Sequence, residues 1–382
     1  MIENISRKLS LLSSQMDNEL AEDVGCPKIH NKQIDDIYIT NAVLPNGRQI
    51  PLLKTLLTSV CERNCNYCPF RSGRDFRRAT LKPHEMAGLF YSLYKAGIIK
   101  GIFLSSGLTG GGIRTQDNLI DTVEILRLKY HFQGYIHLKI MPGAEYKQVF
   151  RSLQLADRVS VNLEAPNPKR LNILAPKKNY NQELIRLLEW IDTIRNNHSP
   201  FNSWNQRWPS STTQFVVGPA GESDHELLST THDLVMKYNL GRIYFRAFNP
   251  SPDTPFENLN PTPPIREHRL YQAFYLIRDY SFTPHELVFD PSNNLSTSID
   301  PKTHWAKTHL SGNPVEINTA PKRLLLRIPG IGPRSLRKIL SARKNHKFND
   351  ISELGKLWID TKRAAPYLLI NGKKCDHQLV LI

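Results

Sequence analysis

Apolar and polar positions along the middle of the chain follow two periods that alternate. Short, nearly continuous apolar runs, which are typical of buried strands, lie within residues 50–60, 98–107, 134–143, 157–166, 212–222 and 241–250. Longer stretches with apolar residues every three or four positions, which are typical of helices, lie at 84–97, 118–132, 144–156, 181–197 and 224–239. The pattern predicts six strands with helices between them.

This order of strands and helices predicts an α/β fold with a parallel sheet. Six strand–helix units in residues 49–250 fit a partial (β/α)6-type, TIM-like barrel. A doubly wound open sheet stays an alternative. In both architectures ligands bind at the carboxyl ends of the strands, so the polar residues that follow the apolar runs are the first candidates for a site.

The segments on either side of this core divide the chain further. Residues 1–48 are predicted to form an N-terminal amphipathic helix and an extension. Residues 251–310 begin in a proline-rich stretch and are predicted as a linker and a helical extension that packs on the barrel. Residues 311–382 are predicted as a small all-α domain.

The chain shows no sign of a membrane or secretory segment. It has no uninterrupted apolar run of about 18 residues, the length needed to cross a membrane. Its first residues lack the long apolar core and the small-residue cleavage site of a signal peptide. Five cysteines in a chain of this length argue against a disulfide framework. We therefore expect a cytoplasmic protein with no membrane partner.

Positive charge is concentrated near the end of the chain. The formal net charge is +15, and residues 311–382 hold 14 Lys and Arg against five Asp and Glu. A basic excess in one short segment indicates a polyanionic partner, most often a nucleic acid. The alternative is a solvated basic face without a partner, and charge alone does not separate the two.

Three of the five cysteines are clustered in "CERNCNYCPF", at positions 61, 65 and 68. They could crosslink a loop, bind zinc or hold an iron–sulfur cluster. A structural zinc site needs four ligands, and no paired fourth ligand follows the trio. Three thiolates can hold a four-iron cluster and leave one iron open for a ligand, so an iron–sulfur cluster is the favoured interpretation. The isolated Cys26 and Cys375 are more typical of thiols with no ligand role.

"CERNCNYC" resembles the CxxxCxxC motif of the radical S-adenosylmethionine (radical SAM) superfamily, which follows the first barrel strand. The resemblance implies that Cys61, Cys65 and Cys68 bind a [4Fe-4S] cluster, with Tyr67 among the cofactor-binding residues. It implies that the open iron is chelated by S-adenosylmethionine (SAM), which is cleaved to methionine and a 5′-deoxyadenosyl radical. An electron donor such as ferredoxin or flavodoxin would then be required.

The resemblance extends to later strand ends. "IFLSSG" stands where the superfamily has a Gly-Gly-Glu-like stretch that holds the methionine amino group, although it lacks the acidic residue. The end of the fourth strand occupies the ribose-contact region, where side chains two apart would share one face, and "QFVVGPAGE" resembles the stretch beside adenine. Ordinary loop polarity is the alternative. The predicted cofactor-binding residues are Ser105, Ser106, Gly107, Ser160, Asn162, Glu164, Gly218, Lys139 and Arg246, with His137 and Arg78 as further candidates.

The second motif is "LLRIPGIGPRSLRKIL", which predicts two helices joined by a Pro-Gly-Ile-Gly hairpin. Its glycines allow a tight turn, its proline suits a first helical position, and the N–H groups of that helix start attract phosphate. The segment resembles a helix-hairpin-helix motif, which binds the DNA backbone; a purely structural hairpin is the alternative. The predicted DNA-binding residues are Gly330, Gly332, Arg334, Ser335, Arg337 and Lys338.

Both motifs together resemble radical SAM proteins assigned to DNA modification or repair, which carry a C-terminal helix-hairpin-helix. That family's genes often neighbour a uracil-DNA-glycosylase-like protein, which the resemblance implies as a partner. The main hypothesis is therefore an enzyme that modifies or repairs a nucleotide in DNA. An RNA-modifying radical SAM enzyme and a non-catalytic, DNA-bound iron–sulfur sensor or scaffold stay as alternatives.

Overall fold

The computed structural model describes residues 2–18, 32–34, 37–43 and 47–375, and Cys26 lies outside them. Contacts divide the chain into two compact units. The first unit comprises Met1–Glu222 and Leu234–Thr262, and the second comprises Ser223–Asp233 and Pro263–Ile382. The domain boundaries expected from the sequence stay predictions.

Within the described residues, eight strands of the first unit form one sheet in which every strand pairs with its successor in sequence. The first two pairings are antiparallel and the next five are parallel. This singly wound order is that of a partial barrel, which confirms the predicted fold class, and not that of the doubly wound alternative. The strands are β1 (Lys32–Ile34), β2 (Ile37–Val43), β3 (Gln49–Leu56), β4 (Gly101–Ser105), β5 (Tyr135–Lys139), β6 (Arg158–Ser160), β7 (Ser210–Val217) and β8 (Arg242–Ala247).

The six strands from β3 to β8 are those expected from the apolar runs, and they are largely buried on both faces. Every residue of β4 is buried, as are seven of the eight in β7, because helices cover a parallel sheet. The antiparallel strands β1 and β2 were not expected. The helices up to the end of the sheet are α1 (Ile2–Ser14), α2 (Pro83–Lys95), α3 (Gly111–Glu124), α4 (Tyr146–Leu155), α5 (Pro168–Leu174), α6 (Arg186–Asn197) and α7 (Asp224–Tyr238).

The second unit contains the predicted hairpin and is mostly helical. It also has a small sheet, which corrects the all-α expectation: among the described residues, β9 (Val315–Glu316), β10 (Leu368–Ile370) and β11 (Lys373–Lys374) pair in the order β11-β10-β9. These strands are two or three residues long, too short to give a period in the sequence. The helices are α8 (Pro264–Tyr280), α9 (Pro301–Leu310), α10 (Lys322–Leu325), α11 (Pro333–Ala342), α12 (Ile351–Gly355) and α13 (Thr361–Ala364).

The longest of these helices carries charged residues along its length. α8 has 17 residues and includes Arg266, Glu267, Arg269, Arg278 and Asp279. In the described part of the chain, no helix combines the length and the apolar character needed to cross a bilayer.

Candidate functional site

The three clustered cysteines lie on the loop between β3 and α2, and hydrogen bonds to backbone carbonyl groups stabilise this loop. Arg78 holds this loop together, because its guanidinium donates to the carbonyl oxygens of Ser59 (2.8 Å), Phe70 (3.1 Å), Arg71 (2.9 Å) and Arg74 (3.1 Å). Arg78 was a candidate for binding SAM or substrate, but these four hydrogen bonds give it a structural role in the loop.

The cysteine loop is also fixed against the end of β4. The N–H of Gly107 donates to the Thr58 carbonyl at 2.7 Å. A Cβ on Gly107 would lie 2.3 Å from the Val60 carbonyl oxygen, which no real side chain tolerates. Position 107 therefore requires glycine, because its backbone lies against the backbone of Val60, the residue before Cys61.

A carboxylate of the loop reaches the next helix. Glu62, the residue after Cys61, accepts hydrogen bonds from the N–H groups of Gly110 (3.1 Å) and Gly111 (3.4 Å) at the start of α3. A carboxylate is favourable at a helix N-terminus because the free N–H groups and the helix dipole are positive there. Strand β4, helix α3 and the cysteine loop are thus connected by polar contacts on the carboxyl side of the sheet.

One cavity of the first unit brings together most of the predicted cofactor-binding residues. It lies at the carboxyl ends of the strands, where a parallel sheet presents its ligand site. Its wall includes the three clustered cysteines and side chains that follow β4, β5 and β6. The predicted residues that line it are Cys61, Cys65, Tyr67, Cys68, Ser105, Ser106, Gly107, Lys139, Asn162, Glu164 and Arg246.

Two predicted residues do not line this cavity. Strand β6 ends at Ser160, so the regular strand does not extend over residues 160–164, and Ser160 is buried but does not line the cavity. Gly218 has φ of +113°, and a Cβ there would lie 2.0 Å from the Thr262 hydroxyl. Gly218 is therefore required by packing against Thr262. His137, a further candidate, is 1% exposed and packs against the Phe103 ring at a centroid distance of 4.5 Å.

A buried ion pair forms part of the cavity wall. The ammonium of Lys178 donates to the Glu164 carboxylate at 2.9 Å, and the two side chains are 10% and 5% exposed. Glu164 has φ of +66°, which is uncommon for a residue with a side chain. Backbone hydrogen bonds hold it there, since its N–H donates to Gln214 (2.9 Å) and its carbonyl accepts from Val216 (2.8 Å). Backbone strain of this kind is frequent at functional sites.

Charge pairing decides the ionisation of this pair. Burial alone would raise the pKa of Glu164, but the ammonium groups of Lys178 and Lys139 outweigh burial and the net shift is downward. Burial opposes the charge of Lys178 too, but the Glu164 carboxylate raises its pKa overall. Both groups are therefore charged near neutral pH.

For the thiols of Cys65 and Cys68, burial outweighs the nearby positive charges, so their pKa values are raised. Burial raises the pKa of Cys65 and of Cys68, and neighbouring thiols raise both further. Thiolates in such a place need a positive partner. Bound iron would supply it, so the donor set and its burial fit an iron–sulfur cluster.

The arrangement also has the form expected for a cluster. No disulfide joins the cysteines among the described residues, and all three thiols face one cavity. In the described part of the chain no three His, Cys, Asp or Glu side chains converge on a single-ion position. Cluster ligands bind separate irons, so that finding concerns single-ion sites only.

Sequence reasoning missed several residues of the cavity. Lys178 follows α5 and precedes the Asn179 cap of a π-helical segment at Tyr180–Ile185. Arg63 lies within the cysteine motif; it pairs with Glu183 and donates to the Lys177 carbonyl. Arg63 thus ties the cysteine loop to the segment after α5, and Lys178 ties that segment to Glu164. The run "LAPKK" was visible in the sequence, but nothing in its spacing indicated that its last lysine reaches Glu164.

The hairpin of the second unit has the predicted backbone. Gly330 has φ of +84°, and a Cβ there would lie 2.4 Å from the Asp360 carbonyl oxygen. α11 begins at Pro333, as expected for its first helical position. Gly332 caps this helix, and its N–H donates to the Ser335 hydroxyl at 2.8 Å. Ser335 is 5% exposed, so its contact lies within the hairpin.

The cations of the hairpin differ in exposure. Arg334 and Arg337 are exposed on α11, one helical turn apart, and neither has an ion pair among the described residues. The Nζ of Lys338 lies 3.4 Å from the centroid of the Trp358 ring. Arg327, at the first helix, is fully buried and donates to Tyr280 and Ser281 carbonyls at 2.8 Å each. The α11 arginines are thus available to a phosphate, whereas Arg327 is structural.

Comparison with protein families finds two matches in the chain. Residues 55–234 match the radical SAM superfamily, and residues 311–358 match a helix-hairpin-helix motif. The chain therefore contains a radical SAM domain, which includes the three clustered cysteines, and a helix-hairpin-helix motif, which suggests nucleic-acid binding. A search of curated proteins finds no match to the chain.

Several solved structures are similar to parts of this chain. The FeFe-hydrogenase maturase HydG from Carboxydothermus hydrogenoformans matches with 17% identity and a TM-score of 0.46, over 59% of this chain and 51% of that one. Methylornithine synthase (PylB) matches with 11% identity and a TM-score of 0.46, over 72% and 68%. Coproporphyrinogen III oxidase (HemN) from Escherichia coli matches with 14% identity and a TM-score of 0.38, over 60% and 53%. The chain spans about half the length of the HydG structures.

Proposed function

We propose that this chain is a radical SAM enzyme that modifies or repairs a nucleotide in DNA. The observation that carries the proposal is the meeting of Cys61, Cys65 and Cys68 in one cavity at the carboxyl ends of the strands. The family match over the same residues supports it. When bound, a [4Fe-4S] cluster and SAM supply radical chemistry that breaks unactivated C–H bonds. An electron donor such as ferredoxin or flavodoxin would serve the cluster.

In this proposal the chain's own residues bind and orient. The thiolates of Cys61, Cys65 and Cys68 would hold the cluster, and the hydrogen bonds of the loop keep the three cysteines in position. Ser105, Ser106 and Gly107 would present backbone groups to the amino-acid part of SAM. Asn162 and Glu164 would contact its sugar, while Lys178 keeps the Glu164 carboxylate charged and in place. Tyr67, Lys139 and Arg246 complete the cavity wall. Ser160 and Gly218 would contribute only by supporting the backbone around the cavity.

The DNA part of the proposal rests on the second unit. A helix-hairpin-helix motif with exposed cations at the start of α11 is suited to a phosphate backbone, because helix N–H groups and arginines both attract anions. Such contacts position a nucleic acid without reading its sequence. Gly330 and Gly332 would shape the turn, and Arg334, Ser335, Arg337 and Lys338 would follow the backbone. The uracil-DNA-glycosylase-like partner implied by the resemblance stays a prediction.

The test is anaerobic reconstitution of the chain with iron and sulfide, followed by reduction with dithionite in the presence of SAM. We expect 5′-deoxyadenosine to form, and to form faster when DNA is added. The same chain without dithionite is the control. A reconstituted, reduced chain that forms no 5′-deoxyadenosine would contradict the enzyme proposal and favour a DNA-bound sensor. Stimulation by RNA and not by DNA would favour an RNA-modifying enzyme.

A further inference from the structure

We propose that a cleft in the second unit, beside the hairpin, binds a single-stranded segment of DNA, with the Trp358 ring as the surface on which a base stacks. The inference rests on the proposed function, since it takes nucleic acid as the ligand of the second unit. It adds which form of nucleic acid is bound and which residues select it.

The cleft is large and is formed within one unit. Its volume is about 1250 Å³, larger than the roughly 300–1,000 Å³ of pockets that enclose drug-sized ligands. One wall is α8, with Tyr275, and the other is the hairpin, with Gly330 to Arg337. Trp358 and Arg363 stand at its border. The space suits an extended chain of nucleotides better than one small molecule.

Trp358 is held outward in a way that packing does not explain. Its side chain is 73% exposed, and its φ is +66°, a conformation that a bulky residue rarely adopts. The residue lies in the turn after α12, three residues beyond Gly355, and its N–H donates to the Gly355 carbonyl at 3.1 Å. A strained backbone that presents a large aromatic ring to solvent indicates a binding role for the ring.

A cation fixes this ring in place. The Lys338 ammonium lies 3.4 Å from the ring centroid, within the range of a cation–π contact. The contact orients the indole over the cleft border while most of its surface stays in solvent. An unpaired base can stack on such a ring, because every base has an exposed π face once it leaves a duplex.

The charges around the cleft complement a phosphate chain. Arg334 and Arg337 project from α11, exposed and without an ion pair among the described residues. The acidic residues at the cleft are already engaged: Arg363 pairs with Asp300 at 2.8 Å, and Arg278 pairs with Asp279 at 2.7 Å. The remaining field is positive. Aromatic surface and backbone cations side by side are the combination found in single-strand binding grooves.

A preference for single strands also agrees with the chemistry proposed for the first unit. An enzyme that acts on a base needs that base outside the helical stack, either extruded or in a single strand. A duplex offers the hairpin only its phosphates, whereas a single strand offers phosphates to the arginines and a base to Trp358. The cleft would therefore favour unpaired substrate before any reaction begins.

The test measures binding of fluorescein-labelled DNA oligonucleotides, single-stranded and as the blunt duplex, by anisotropy with the cluster-loaded full chain and no SAM or reductant. We expect the wild-type chain to prefer the single strand. Trp358→Ala should weaken single-strand binding about tenfold, within the range of base stacking on aromatic rings. It should change duplex binding little, and Trp358→Phe should retain most of the affinity. Phe201→Ala, which removes a ring that is 74% exposed in the first unit, is the matched control.

Equal binding of the single strand by wild type and Trp358→Ala would overturn the inference, as would an equal loss for single strand and duplex. If Trp358→Ala does not fold, Trp358→Leu keeps the apolar bulk without the ring and gives the same comparison. The result is separable from the proposed function. Single-strand binding that depends on Trp358, without 5′-deoxyadenosine formation, would support the inference about the cleft and contradict the enzyme proposal. SAM cleavage stimulated by DNA, with DNA binding that does not depend on Trp358, would support the enzyme proposal and contradict the inference about the cleft.

Discussion

The two sites of this chain use charge in opposite ways. Around the cysteines, Lys178 and Glu164 are buried and paired with each other, and the loop arginine Arg78 is saturated by carbonyl groups. On the hairpin, Arg334 and Arg337 are exposed and have no ion pair among the described residues. A buried, satisfied network fixes a small ligand in one pose, whereas exposed cations attract a polyanion from solution. The difference suggests a catalytic site in one unit and a docking site in the other.

The same contrast appears in the backbone. Each site has one glycine at which a Cβ would collide with a carbonyl oxygen: Gly107 against Val60 and Gly330 against Asp360. At Gly107 the close approach fixes the loop that carries the thiols. At Gly330 it shapes a turn that leaves the next helix start open to solvent. Similar local constraints thus support an enclosed site in one unit and an open one in the other.

The largest expected effect comes from the thiols. Cys65→Ala removes a buried cluster ligand, so we expect iron and sulfide content to fall and SAM cleavage to drop to background. Metal analysis and 5′-deoxyadenosine formation measure these two effects. Cys375→Ala is the matched control, because Cys375 lies outside the cysteine motif. Full cluster content in Cys65→Ala would contradict its assignment as a ligand.

The second effect concerns the buried ion pair. Lys178→Met leaves the Glu164 carboxylate buried without its partner, which should lower the free energy of unfolding by about 3–5 kcal/mol. Adding Glu164→Gln should restore much of that loss, because the unpaired charge is then gone. Urea denaturation of the cluster-free chain, followed by circular dichroism, gives the values.

An exposed pair supplies the control for this cycle. Lys237 lies 3.5 Å from Glu189, and their side chains are 63% and 47% exposed. Exposed pairs contribute about 0–1 kcal/mol, so Lys237→Met should have little effect. Equal losses for Lys178→Met and Lys237→Met would show that the cysteine cavity does not depend on its internal charge pairing.

The third effect tests the exposed cations. Arg334→Ala/Arg337→Ala should weaken DNA binding about tenfold and lower the slope of log affinity against log salt by roughly two, since each phosphate contact releases about one counterion. Cluster content should not change. Lys307→Ala/Lys347→Ala removes the same charge from exposed positions outside the cleft. An unchanged salt slope in the arginine variant would exclude the hairpin as the phosphate contact.

The fold was largely predictable because its parallel strands lie in apolar runs that alternate with helical patterns. The runs that became β3 to β8 are apolar and separated by helical patterns, so order and class followed. The antiparallel β1 and β2 and the small sheet of the second unit were not predictable. They lie outside the alternation of apolar runs and helical patterns, and their pairing depends on neighbours that the sequence does not identify.

The sites were predictable to a different extent. The cysteines follow from spacing alone, and most strand-end residues follow from the geometry of a parallel sheet. Lys178 does not, because its contact with Glu164 depends on how α5 and the π-helical segment turn the chain back. Trp358 does not either, since only its positive φ and exposure set it apart from a core tryptophan. Contacts made by loops carry no period, and so they appear only in the structure.

The smallest expected effect is on stability and comes from Lys302. This residue departs from the contrast between the two sites, because it is a buried lysine in the second unit. Lys302 donates to the Ile331 carbonyl of the hairpin and lies 4.5 Å from the centroid of the Tyr280 ring. Burial, together with the nearby charges of Arg363 and Arg327 and against an opposing effect of Asp300, lowers the pKa of Lys302 to about 7. A lysine of α9 that contacts the hairpin is therefore held near the pH at which it loses its charge.

The pH dependence of stability follows from this shift. Between pH 7 and 10.5 the unfolded chain keeps the proton that folded Lys302 releases, so unfolding takes up a proton and stability rises with pH, by at most about 1.4 kcal/mol per pH unit. Below pH 7 both states are protonated and this dependence ends. The unfolding free energy of wild type minus that of Lys302→Met should therefore rise from pH 7 to pH 9. The corresponding difference for exposed Lys307→Met should stay constant. Parallel curves for wild type and Lys302→Met would mean that the buried lysine keeps its charge, and that both sites then hold their buried cations in the same way.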